Sequence, residues 1–202
     1  MPYAEPVTLT GDLVTLTPLS PQDHDGLVAA AGDGDLWGLT YTSVPRPEAM
    51  AAEIERRLGL LREGRMVPFT VRRSATGEPV GMTTLMNLDE PNRRLEIGST
   101  WLARSAQGTG VNAEAKLLML AHAFETLGCH AVELRTHWLN RQSRAAIERL
   151  GAKLDGILRQ HMVMPDGSVR DTCVYSVVAA EWPAVRGELQ RRLGTRLAGA
   201  SA

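Results

Sequence analysis

The chain is short of cysteine, lysine and aromatic residues, and each shortage excludes something. Its two cysteines, Cys129 and Cys173, stand far apart with no Cys-x-x-Cys pair, so neither a disulfide framework nor a thiolate zinc site is signalled. That usage fits a reduced, cytoplasmic setting. The five histidines show no ligand spacing with acids or cysteines, and no metal is expected. Lysine occurs only at Lys116 and Lys153, with arginine everywhere else, which reads as composition bias and not function. No apolar run approaches the ~18 residues of a membrane span. Met1 to Gly11 lacks the basic start and apolar core of a signal peptide. A formal net charge of −1 gives no general attraction for nucleic acid or an anionic membrane. What is present, 44% hydrophobic and 22% charged residues over 202 positions, is the balance of one globular domain.

Periodicity divides the chain. Val7 to Pro18 alternates around Gly11-Asp12 and predicts a hairpin-like start. Ser20-Pro21-Gln22-Asp23 signals a helix that Gly32-Asp33-Gly34 ends, and Met50, Ile54, Leu58 and Leu61 form one face of a second helix over 48–63. Three antiparallel strands follow at 67–73, 79–88 and 95–102, separated by Ala75-Thr76-Gly77 and Asp89-Glu90-Pro91-Asn92. Val111 to Leu127 is apolar almost all round in its middle and predicts a helix buried against a sheet, stopped by Gly128. A strand at 131–137, a helix at 140–150, strands at 153–163 and 169–179 around Pro165-Asp166-Gly167, and a polar helix at 181–193 complete the order. The fold class is thus mixed α/β (α+β): a mostly antiparallel central sheet with helices on its faces, and one parallel strand–helix–strand unit over 95–137. No repeat or linker interrupts it, so 1–194 is read as one domain and 195–202 as a flexible tail.

The segment from Leu102 to Asn112 carries the chemistry. A strand enters it, a buried helix leaves it, and Gly108 and Gly110 lie between. Unpaired N–H groups at a helix start, without Cβ atoms in the way, can receive a phosphate. A P-loop is excluded because no Gly-Lys-Ser/Thr follows. Gly108-x-Gly110-x-x-Ala113 matches the Gly/Ala variant of the dinucleotide fingerprint, but three features oppose it. Four residues separate the strand end from Gln107, the motif follows three antiparallel strands, and the next strand ends in Thr136-His137-Trp138 without a ribose-binding carboxylate.

Gln107-Gly108-Thr109-Gly110-Val111-Asn112 resembles the acetyl-CoA loop (Gln/Arg-x-x-Gly-x-Gly/Ala) of the GNAT N-acetyltransferases, in particular the branch with the RimJ/RimL enzymes. Glu96-Ile97-Gly98…Trp101-Leu102, Asn112-Ala113-Glu114-Ala115, and Asn140-x-x-Ser143 followed by Leu150-Gly151-Ala152 extend the likeness. The resemblance implies direct transfer of acetyl from acetyl-CoA to an amine, a protein N-terminus or a small molecule. The pantetheine arm would lie between two splayed strands, with the pyrophosphate on the amides of Gly108 to Asn112 and Asn140 bonding the pantetheine. An oxyanion donor is expected on the backbone about Thr100 to Leu102. No cysteine is required, so Cys129 and Cys173 are read as core residues.

For the base the resemblance offers Glu96; the alternative is a surface carboxylate paired with Arg93 or Arg94. The stretch from Glu96 to Leu102 is one residue longer than the branch's usual spacing, so only a β-bulge would turn Glu96 to the active face. The family's tyrosine position, seven residues after Asn140, is Ile147, which closes that route to a leaving-group acid. Ser143 is the branch's alternative, as a hydrogen bond to the sulfur or else as a helix cap. Asn112 either contacts CoA or caps its helix. His137 ends the second splayed strand, as a contact or a structural residue, and Trp37 and Tyr41 fall where the family builds its acceptor pocket. Two further readings stay open: a non-catalytic acyl-CoA-binding module acting as sensor or assembly partner, and a homodimer paired through the C-terminal strands.

Overall fold

A computed structural model describes the chain except for residues 1, 35, 39–43, 165 and 201–202; for 195–200 only the backbone is described. Its centre is one eight-stranded sheet in the order β1-β2-β3-β4-β5-β6-β8-β7. The strands are β1 (Leu9–Thr10), β2 (Val14–Pro18), β3 (Met66–Arg73), β4 (Pro79–Asp89), β5 (Arg94–Leu102), β6 (Ala131–His137), β7 (Lys153–Val163) and β8 (Val169–Val178). All neighbours are antiparallel except β5 and β6. The five α-helices are α1 (His24–Gly32), α2 (Met50–Arg62), α3 (Val111–Ala121), α4 (Arg141–Glu148) and α5 (Trp182–Ala200).

Strand alternation explains the core. Val14 and Leu16 of β2, Phe69 and Val71 of β3, Met82 of β4 and Leu95 of β5 are buried together with Met119 and Leu120 of α3. Glu114 ties α3 to the N-terminal hairpin: its carboxylate accepts from the backbone N–H groups of Asp12, Leu13 and Val14 at 3.1, 2.7 and 2.8 Å. A carboxylate bonded this way closes the open turn at Gly11, where a side chain would strike it at 2.6 Å.

Two elements depart from the sequence pattern. The helix expected over 111–127 is α-helical only to Ala121; a π turn spans His122–Thr126, closed by Leu127 N–H to His122 O. The wide turn presents Phe124 and Glu125 together to Trp182, which stacks on the first ring at 5.5 Å and donates to Glu125 at 2.7 Å. The final helix runs on to Ala200, past the Leu193 end given by the pattern. No proline stops it and Gly194 alone is too weak a break in a run of helix formers.

Pairing between β5 and β6 covers only Arg94–Ala131, Leu95–Val132 and Glu96–Glu133, although β5 continues to Leu102 and β6 to His137. The parallel pair therefore opens into a gap. Helix α3 begins at one side of that gap and α4 at the other.

Candidate active site

The gap widens into a cleft of about 1370 Å³. Of the residues singled out in the sequence, Glu96, Thr100, Leu102, Gln107, Gly108, Gly110, Asn112, Asn140 and Ser143 all line it, as does Ile147 in the tyrosine position. Two do not. Val111 is buried in the core under α3, and the Thr109 hydroxyl turns back to donate to Ala106 O at 2.7 Å. Trp37 packs against the core, while Leu36 and Val44 line the cleft on that side. Tyr41 lies outside the described residues.

The start of α3 is open on the cleft side. Gly108 and Gly110 take φ of 75° and 106°, a left-handed conformation that favours glycine. With Gly110 as the N-cap residue, α3 has no side-chain cap. Space for a Cβ is open above Gly108. Gln107 does not reach forward; its Nε2 donates to Leu102 O at 2.9 Å, pinning the loop to the strand end. The charged lining is mostly arginine, including Arg104, Arg149 and Arg192, against Glu53 and Glu96 alone among the described carboxylates. Trp101 adds a buried Nε1–H with no hydrogen-bond partner among the described residues. Uncapped amides, a positive wall and room for a long arm fit the phosphates and pantetheine of CoA.

Strand β5 carries the bulge that the Glu96 spacing requires. Gly98 pairs with Thr84 and Trp101 with Met82, so Ser99 and Thr100 both stand opposite Thr83. Ser99 takes the left-handed φ of 48°, as one residue of a bulge does. Across this bulge Glu96 faces the cleft, buried and 6% exposed. Its partners are not Arg93 or Arg94: Asn87 Nδ2 donates to it at 2.7 Å and Arg135 Nε lies at 3.4 Å, while Arg94 pairs with Glu133. Burial raises the Glu96 pKa above the ordinary carboxylate value, against the pull of Arg135 and Asn87.

Opposite, Asn140 caps α4, its Oδ1 accepting from Ser143 N–H at 2.9 Å. With Oδ1 already accepting one hydrogen bond, Nδ2 is the group Asn140 has to donate to a ligand. The cap belongs to Asn140, and Ser143, whose hydroxyl is not needed for it, lines the cleft. His137 accepts from Leu139 N–H through Nδ1 at 3.0 Å, and burial, with Arg170 nearby, lowers its pKa below the ordinary imidazole value. Cys129 and Cys173 are both buried in the core.

Asn87, Arg135, Arg57 and Lys116 are among the lining residues that had not been singled out as site residues. Arg57 lies on the stripe of Met50, Ile54 and Leu61, and Lys116 stands one turn before Met119 and Leu120 on the buried face of α3. A cation at a core position of an amphipathic helix is the signal that could have found both. Among the described residues no cluster of three or more His, Cys, Asp or Glu side chains is placed to hold a metal, and no helix is long and apolar enough to cross a membrane.

A mixed sheet whose parallel strands part over an uncapped helix start is the architecture this chain shares with acetyltransferases of known structure. The family model for the acetyltransferase (GNAT) domain matches residues 14–153, and the chain belongs to that family. A GCN5-related N-acetyltransferase from Brucella melitensis is 34% identical, with TM-score 0.84, covering 94% of this chain and 86% of that one. RimJ of Mycobacterium smegmatis, solved with CoA-disulfide, is 25% identical at TM-score 0.78, covering 94% and 96%. A Bacillus subtilis (strain 168) protein named "Putative ribosomal N-acetyltransferase YdaF" is 35% identical over 106 residues, 52% of this chain; the match spans 57% of that protein's length.

Proposed function

We propose that the protein transfers acetyl from acetyl-CoA directly to a neutral amine, with a peptide or protein N-terminus preferred over a small amine. The observation that carries this reading is the uncapped start of α3 opening into the gap between β5 and β6. The amides from Gly108 to Asn112 would hold the pyrophosphate, and Asn140 Nδ2 the pantetheine. Acetyl-CoA supplies an activated acyl group whose leaving sulfur is a good departing anion. The chain's own residues do the rest. Glu96, ionised, accepts a proton from the acceptor's amine across the cleft floor. An α-amine, with a pKa near 8 against about 10.4 for lysine, offers more of the neutral nucleophile at neutral pH. The backbone N–H groups about Thr100 to Leu102 stand where negative charge develops on the carbonyl oxygen. The Ser143 hydroxyl serves the sulfur as a hydrogen-bond donor, since Ile147 can offer none. The exposed apolar side chains of edge strand β7, Leu154, Leu158, Met162 and Val163, support a homodimer through the C-terminal strands.

Thermal unfolding with acetyl-CoA, and with NADPH as control, tests the binding half. At about 100-fold excess over Kd a true ligand adds about 2.7 kcal/mol, a shift of several degrees. Acetyl transfer to Ala- and Ser-initiated peptides tests the other half. A thermal shift without transfer to any amine would favour the sensor reading; no shift with acetyl-CoA would remove both.

A further inference from the structure

Two buried cations grip the β5 bulge from opposite faces of the sheet. Thr83 and Thr84 are successive residues of β4, so their side chains point to opposite faces. On the α3 face, Lys116 Nζ donates to Thr83 Oγ1 at 3.0 Å and to Thr100 Oγ1 at 2.7 Å. On the α2 face, Arg57 Nη1 donates to Thr84 Oγ1 at 2.8 Å, and its two terminal nitrogens each stand 3.5 Å from Ser99 O. Each cation thus holds one residue of the bulge and the β4 residue beside it.

The two differ in how their charge is offset. Arg57 is paired with Glu53 at 2.7 Å. Lys116, 4% exposed, has no carboxylate partner among the described residues. It faces the Thr83 and Thr100 hydroxyls and, behind Thr83, the sulfur of Met119. Glu114, on the same helix, is committed to the amides of Asp12 to Val14. Burial lowers the Lys116 pKa to about 7. An ammonium buried without a counter-charge costs stability, which an apolar residue would avoid. Thr100, in contrast, is exposed and lines the cleft, so a charge behind its hydroxyl acts on whatever the cleft holds.

We propose that Lys116 and Arg57 are positioning residues for acyl transfer: they fix the Ser99–Thr100 bulge so that its backbone N–H groups meet the thioester, and Lys116 sets positive charge behind Thr100 where negative charge develops. The proposal rests on the acetyl-transfer reading. It assigns the electrostatic work to a lysine outside the glycine loop, acting through the threonine.

Steady-state kinetics and lysine NMR test it together. Lys116→Met keeps the side chain's length and loses its charge; Thr100→Val leaves the lysine and removes the hydroxyl. For Lys116→Met, kcat is expected to fall roughly 30-fold or more with KM for acetyl-CoA within about threefold, as for a group acting only in the transition state. Thr100→Val and Arg57→Lys should each lower kcat about fivefold to tenfold with the same split. The Lys116→Met, Thr100→Val double variant should be little worse than Lys116→Met alone, because both lie on one path. Unchanged kcat in Lys116→Met, or a loss confined to KM, overturns the proposal. If Lys116→Met does not fold, Thr100→Val at its exposed position decides the kinetics. The chain's two lysines give two Cε signals after ¹³C-lysine labelling. In the unliganded protein the Lys116 signal should titrate well below the ordinary lysine range and move on Thr100→Val. A Lys116 signal that titrates in the ordinary range and ignores Thr100→Val overturns the clamp itself. A wild type that shows the lowered titration but neither binds acetyl-CoA nor transfers acetyl overturns the function reading instead.

Discussion

Helices α3 and α4 both begin at the rim of the same cleft, yet they begin differently. Helix α4 starts at Asn140, whose side chain accepts from the third amide, and so closes its own terminus. Helix α3 starts at a left-handed glycine with no side-chain cap. A missing cap costs a helix about 1 kcal/mol. The longer, more buried helix carries that deficit, packed between the sheet and α5. The difference teaches where a ligand's charge belongs: the positive end of α3 is left for it, while the end of α4 is already satisfied and can offer only side chains.

The sharpest way to break this contrast is Gly110→Val. At φ of 106° a β-branched residue is strained, so the left-handed turn that starts α3 is disturbed. We expect the acetyl-CoA thermal shift to vanish, with at least about a hundredfold loss in affinity. The unliganded protein should lose about 1–3 kcal/mol. Calorimetric titration alongside melting separates the two effects; a Gly110→Val protein that binds normally would remove the phosphate role from α3.

Glu96→Gln comes next and probes the strand between the two helices. Activity is expected to fall about a hundredfold or more with acetyl-CoA binding intact. In the wild type the acid limb of kcat/KM should lie above the ordinary carboxylate value, since burial raises Glu96, and Glu96→Gln should abolish that limb. Stability carries the opposite sign. A carboxyl whose folded pKa is raised contributes fully below its unfolded pKa and loses that contribution as pH rises through the folded value. At pH 7 Glu96→Gln should therefore be no less stable than the wild type. A variant that keeps full activity, or melts well below the wild type at pH 7, would make Glu96 a structural ion-pair residue of Arg135.

Much of this was legible in the residues because it is written locally. Strand and helix periods, the turn chemistry at 75–77 and 89–92, and the glycine pair give the sheet and its loop with few boundary errors. The extra residue between Glu96 and Leu102 made a bulge the condition for Glu96 to face the cleft, and β5 has one. What was not legible depends on partners distant in sequence. Arg135 and Asn87 meet Glu96 only once β4, β5 and β6 are registered. Lys116 reads as one more polar residue until Thr83 and Thr100 are seen to surround its ammonium. The π turn at His122–Thr126 answers Trp182, some sixty positions away, and no local period encodes it.

The α4 side is expected to be more forgiving. Asn140→Ala removes the cap and should cost about 1 kcal/mol of stability, seen as a drop of a few degrees in Tm. Affinity for acetyl-CoA should weaken only severalfold, because one amide nitrogen is lost and no phosphate contact. Asn140→Asp separates the two jobs: the carboxylate still caps α4 and favours its dipole, so stability returns, while the Nδ2 donor stays absent and affinity does not. Recovery of both would place Asn140 in the helix cap alone.

Ser143→Ala is the finest test of the contrast between the two termini. The Ser143 N–H is held by Asn140 whatever its side chain, so stability should change by less than about 0.5 kcal/mol. In the proposed reaction the hydroxyl of this cleft-lining residue gives one neutral hydrogen bond to a sulfur that leaves as an anion, worth roughly threefold to tenfold in kcat. Because a hydroxyl donor matters in proportion to the charge it meets, Ser143→Cys should not rescue, whereas Ser143→Thr should recover part of the rate. Parallel loss of stability and rate in Ser143→Ala would show the serine to be a support of α4, and would leave departure of the sulfur to the positive wall of the cleft.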